Sequence, residues 1–152
     1  MPRGWRITKS ARTSEAFDGE GARLHGGRWN SPGTPVVYTA QSESLAALEL
    51  LVHLHAGQLL LSYSSIPVDF DDAAVEAVDP ARVSPDWRGD PAPAALRLFG
   101  DQWVAEQRSA VLQVRSAVVP RELIYVLNPR HPGFGRLKLG TPTSFQFDAR
   151  LK

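Results

Sequence analysis

Glu49 stands where a charged residue needs a reason. At about 100° per residue on a helix, Leu45, Leu48, Glu49, Val52 and Ala56 fall within about one third of the circumference, so a carboxylate interrupts an apolar stripe. An unpaired buried carboxylate costs several kcal/mol, so Glu49 must be partnered, partly hydrated or protonated. A structural Glu–Arg pair or a slight rotation of the helix meets that requirement. A catalytic carboxylate facing a cleft meets it equally well. Gly26-Gly27-Arg28-Trp29-Asn30 is a second signal. Paired glycines let backbone N–H groups at Gly27 approach a ligand closely, and an arginine can clamp a phosphate through two parallel hydrogen bonds. Two glycines in a turn beside a solvated arginine would read the same way. Tyr38, among Val36, Val37 and Ala40, is either a core tyrosine or a stacking platform for a flat cationic ring.

Other chemistries find less support. The glycine pair is not a Walker loop, since no Gly-Lys-Ser/Thr follows, and no strand with Gly-x-Gly-x-x-Gly makes it a dinucleotide fingerprint. His53 and His55 would stand about 200° apart on a helix, so both cannot ligate one ion. His25 and His131 lie in Gly- or Pro-rich segments without an acidic residue at a familiar ligand spacing. The chemistry is therefore expected to need no metal. No Gly-x-Ser-x-Gly elbow marks a nucleophilic serine, and Ser109 and Ser116 flank a strand, where serines can simply satisfy backbone groups. The chain has no cysteine, which removes thiolate chemistry and disulfides.

The elements that must position these residues mix strands and helices. Strands are expected around Trp5-Arg6-Ile7 and over 36–39, 59–68, 110–114, 123–127, 136–139 and 144–147, the last alternating Ser-Phe-Gln-Phe. A helix capped by Ser42 or Ser44 is expected to run to about Ala56 and stop at Gly57, and a second to cover 94–107, weakened by Gly100. The glycines of 18–33 read as loop, and the prolines of 69–93 as a long irregular excursion. Strands outnumber helices and do not alternate with them, so the fold class is α+β: one compact mixed domain over 1–152 with a strand-rich core.

Composition narrows the class. At 152 residues, 43% hydrophobic and 22% charged, the chain can build a real core. A net charge of +1 argues against a general nucleic-acid binder. No apolar run approaches the ~18 residues of a membrane span, and no secretory signal opens the sequence, so a cytoplasmic protein is expected.

Taken in order, these segments resemble the RES domain family. The resemblance is carried by Gly-Gly-Arg28-Trp-Asn, Val-Tyr38-Thr-Ala, Leu-Ala-Ala-Leu-Glu49 with His53, Ala-Val-Leu-Gln-Val-Arg-Ser116, Asn128-Pro-Arg-His-Pro and the terminal Phe-Gln-Phe-Asp-Ala-Arg-Leu. It implies an ADP-ribosyltransferase-like fold and the toxin half of a bacterial toxin–antitoxin pair. The substrate would be NAD, degraded or used for ADP-ribose transfer, and the partner an Xre-like helix-turn-helix antitoxin. The family's Arg, Glu and Ser match Arg28, Glu49 and either Ser116 or Ser109; this chain has Arg115 where the family pattern leads to proline. Arg6 resembles an N-terminal family arginine. The resemblance assigns ribose to Glu49, pyrophosphate to Arg28 and Arg6, nicotinamide to Tyr38, and ribose or carboxamide to the serine. DNA contact would fall to the antitoxin, and a symmetric complex with several toxin copies follows if that partner is a dimer. Two other readings remain: a non-enzymatic module that binds a nucleotide or a protein, and a ribonuclease-like toxin using Glu49, His53 and arginines.

Overall fold

The computed structural model describes residues 1–151. Among these residues eight strands form one sheet: β1 (Arg3–Lys9), β2 (Val37–Ala40), β3 (Tyr63–Asp69), β4 (Val75–Ala77), β5 (Val111–Arg115), β6 (Leu123–Leu127), β7 (Lys138–Leu139) and β8 (Thr143–Phe145). Their order is β4-β5-β6-β2-β1-β3-β7, with β8 also on β3. Four helices accompany them: α1 (Glu20–His25), α2 (Glu43–Leu51), α3 (Pro80–Val83) and α4 (Ala94–Ala105). The mixed α+β class expected from the sequence is therefore the one observed. β4 and β5 pair in parallel, which requires the long crossover that α3 and α4 supply; the other pairs are antiparallel.

The middle strands are covered on both faces, and this explains their unbroken apolar sequence. Leu112, Val114, Ile124 and Val126 join one cluster with Leu45, Leu96 and Trp103, while Val111, Tyr125 and Leu127 join another with Val68 and Phe70. β1 pairs with β3 along its whole length but meets β2 through the single pair Trp5↔Ala40. The two strands part beyond that pair, and the Tyr38 carbonyl on β2 accepts from the Arg6 guanidinium instead of from a β1 amide.

Five expectations need correction. Residues 18–33 contain α1: Asp18 Oδ1 accepts from Glu20 N, and Gly19 takes a positive φ of 77° at the N-cap. Six residues are too few for a helical period to emerge. α2 stops at Leu51, and His55 and Gln58 close a separate 3-10 turn through His55 N–H to Gln58 Oε1, so Gly57 ends nothing. β3 begins at Tyr63 rather than at 59, after that turn. Residues 69–93 are not a featureless excursion, since they carry β4 and α3. Pro80 opens α3, where its missing N–H costs nothing, and Asp79 caps it. Gly100 does not mark a weak helix either. A Cβ there would lie 1.7 Å from the Trp29 carbonyl oxygen, so the glycine lets α4 press against the Gly26–Asn30 segment.

Candidate active site

Glu49 lies half-buried on α2, whose Leu45 and Ala46 are buried. Its partner is not an arginine. Ser116, 1% exposed at the end of β5, donates its hydroxyl proton to Glu49 Oε1 at 2.6 Å. The serine Oγ itself accepts from the Val118 and Val119 amides, each at 3.0 Å. A serine hydroxyl has one proton and two lone pairs, so this local turn occupies both lone pairs and aims the only proton at the carboxylate. Oε2 of Glu49 is left for another donor.

The Arg28 loop is held from three sides. Asn30, fully buried, donates to the carbonyls of Ala22, Ser31 and Thr34, and its Oδ1 accepts from the Tyr38 hydroxyl at 2.6 Å. Tyr38 in turn accepts from Trp29 N at 2.9 Å. From α4, Asp101 accepts from Ser31 N. Gly27 is obligatory here, because a Cβ would lie 2.7 Å from the Tyr38 hydroxyl and 2.9 Å from Asn30 Oδ1. Burial raises the Tyr38 pKa well above that of an ordinary phenol, so it remains a neutral hydrogen-bonding group. Its hydroxyl is spent on the loop, and the partly buried side chain packs against the core.

Arg28 extends from this loop to two carbonyls, Trp87 at 3.0 Å and Gly89 at 2.8 Å, both through Nη1. Neither is charged, so the guanidinium keeps its positive charge and its other donors. Arg6 behaves similarly. It donates Nη1 to the Tyr38 carbonyl at 3.1 Å, while its Nε is enclosed without a partner. Burial lowers its pKa, opposed by the field of Asp18. Two arginines joined to neutral carbonyls rather than to carboxylates are suited to an anion.

These groups form one run of contacts. Arg6 meets the Tyr38 carbonyl, Tyr38 meets the Arg28 loop, and Arg28 meets the strap at 87–89. Arg88 Nε of that strap donates to the Ala117 carbonyl at 3.0 Å, beside Ser116 and hence Glu49. The strap was missed in the sequence because carbonyl oxygens leave no residue-type signature. Asn30 was seen only as part of a motif.

The RES domain family matches residues 3–148. The chain belongs to it. A toxin from Sphingobium sp. named for ADP-ribosylation of Prs is 39% identical, with 97% of this chain and 94% of that one covered. A protein named Toxin Res from Yersinia enterocolitica is 38% identical over 97% and 98% of the two chains. Among solved structures, the M. tuberculosis MbcT–MbcA toxin–antitoxin complex contains a chain that superposes with a TM-score of 0.77 at 21% identity, covering 99% of this chain and 86% of that one. That likeness shows that the two chains share a fold.

Not every expected residue of this RES chain joins the site. Ser109, at the start of β5, accepts from Trp103 Nε1 and donates to the Val111 carbonyl, both at 2.8 Å, away from Glu49. His53 is exposed in the turn after α2. Among the described residues no group of three or more His, Asp or Glu converges as a metal site, and no helix is long and apolar enough to cross a membrane. A groove of about 420 Å³ between α2 and Phe145, Phe147 and Leu151 is apolar and contains none of the residues above.

Proposed function

We propose that this RES-family toxin consumes NAD by breaking its nicotinamide–ribose bond. The observation that carries the reading is the Ser116–Glu49 hydrogen bond at 2.6 Å, which presents a carboxylate oriented from one side and open on the other. When the C–N bond breaks, both bonding electrons leave with nicotinamide, and the charge of the pyridinium passes to the ribose as an oxocarbenium-like transition state. Glu49 binds the ribose hydroxyls and stabilises that charge. Arg28 and Arg6 hold the pyrophosphate, with backbone approach at Gly27. The Tyr38 ring faces the cationic nicotinamide. Ser116 serves through Glu49, since its hydroxyl has no further capacity; Ser109 is left to the core. NAD is the substrate, and no step calls for a metal.

The first step is common to hydrolysis, phosphorolysis and transfer. The name of the Sphingobium relative favours transfer of ADP-ribose to a protein as the form to test first. An antitoxin is the expected partner, because the structural neighbour comes from a toxin–antitoxin complex, and the family resemblance makes it an Xre-like one. It would neutralise the toxin in the cytoplasm by covering Arg28 and Arg6 with an acidic group. Incubating the purified protein with NAD, inorganic phosphate and a bacterial extract that supplies protein acceptors, beside the same mixture without the protein, and separating the products tests the reading. Free nicotinamide is expected in every form. ADP-ribose, its phosphate or a modified protein then identifies the acceptor. No nicotinamide release would leave the binding-module reading in its place.

A further inference from the structure

We propose that Arg115 is a positioning residue for Arg28, acting through Trp87. The inference rests on reading Arg28 as the pyrophosphate clamp. Arg115 ends β5 and is half-exposed; its guanidinium carbon lies 5.1 Å from the centre of the Trp87 ring. The same side chain pairs with Asp79. Asp79 caps α3 by accepting from Ala81 N at 3.0 Å, so Arg115 grips the 79–87 loop at both ends. Within that loop Ser84 N donates to the Pro80 carbonyl, Trp87 N to the Ser84 carbonyl and Gly89 N to the Asp86 carbonyl. This chain of turns delivers the Trp87 and Gly89 carbonyls to Arg28 Nη1.

Three successive residues thus reach the site by three routes. Arg115 holds Trp87, Ser116 holds Glu49, and Ala117 accepts from Arg88. One strand end therefore sets the carboxylate and the arginine relative to each other, which is the spacing a substrate with ribose at one end and pyrophosphate at the other must match. Stability alone is a weak account of Arg115. The Arg115–Asp79 side chains are 40% and 46% exposed, and such pairs contribute little to folding.

The test is steady-state NAD turnover of Arg115→Ala, Arg115→Lys, Arg28→Ala and the Arg115→Ala/Arg28→Ala double variant, beside thermal melts. Arg115→Ala should raise KM about three- to tenfold, the range of one exposed cation–π contact with an ion pair, with kcat within about twofold and little change in Tm. Arg115→Lys should recover most of the loss, because a point cation can still lie over Trp87 and pair with Asp79. Combined with Arg28→Ala, Arg115→Ala should add nothing further to KM. An unchanged KM in Arg115→Ala, or an effect that adds in full to Arg28→Ala, overturns the proposal. If Arg28→Ala itself leaves KM unchanged, the clamp reading fails and this proposal fails with it; if only Arg115→Ala does so, the clamp reading survives.

Discussion

Ser109 and Ser116 flank the same strand, separated by roughly 23 Å of extended chain. Each hydroxyl has given away its only proton, yet the recipients differ. Ser109 serves the indole of the buried Trp103 and the Val111 carbonyl, both neutral groups of the interior. Ser116 takes two backbone amides and gives its proton to a carboxylate that retains a second oxygen. A hydroxyl that closes a packing contact ends there, whereas one that orients a charge leaves that charge available. The same distinction separates the arginines. Arg3 is neutralised by Asp69 through two hydrogen bonds of 2.7 and 2.9 Å, while Arg6 and Arg28 meet only carbonyls.

The largest break in this comparison is Glu49→Gln. The amide carbonyl that replaces the carboxylate can still accept from Ser116, so the melting temperature should hold, while loss of the charge should lower NAD turnover on the order of a hundredfold or more. Ser116→Ala should follow. A hydrogen bond to a charged group contributes about 1.5–3 kcal/mol, so kcat should fall roughly ten- to a hundredfold with Glu49 still present. Arg28→Lys keeps the charge but loses the planar fork, and a KM increase of about tenfold is expected beside an unchanged melt. Equal losses of stability and activity would mark Arg28 as structural.

At the other end of β5 the expectation reverses. Ser109→Ala leaves the Trp103 N–H unpaired and should cost about 1–3 kcal/mol in chemical denaturation, with turnover unchanged. A loss of activity there without a loss of stability would undo the assignment of the two serines. The smallest effect belongs to Asp69→Asn. Arg3 holds the Asp69 carboxyl below its usual range, chiefly through their hydrogen bond. The pair's contribution is therefore present above the unfolded value of about 3.9 and fades as pH falls through the lower folded value. The variant should melt slightly below the native protein at pH 7, by under about 1 kcal/mol for so exposed a pair, and the gap should close toward pH 2.

The sequence made some of this visible and hid the rest for identifiable reasons. Glu49 was legible through the family resemblance and not through burial, since α2 stops at Leu51 and Leu48 and Val52 of the expected apolar stripe are 41% and 57% exposed; its partner was hidden, since Ser116 lies 67 residues away and no period connects them. β5 and β6 stood out as apolar runs, whereas α1 and α3 were too short to carry a helical period. Gly100 read as a flaw in a helix, and only its contact with the Trp29 carbonyl reveals why a side chain is excluded. The 87–89 strap offered no signal at all, because its part is played by backbone carbonyls. Ser116 lay in the segment that resembles the family pattern, but Arg115 left the choice between it and Ser109 open until their partners were known.

The central claim is that a carboxylate set by Ser116 drives cleavage of the nicotinamide–ribose bond. The most direct measurement is the initial rate of nicotinamide release from NAD, with inorganic phosphate and an extract supplying protein acceptors, by the native protein and by Glu49→Gln at matched folded fraction. The account predicts steady release by the native protein and a rate lower on the order of a hundredfold in the variant. Equal rates in the two proteins, or none in the native one, would contradict it.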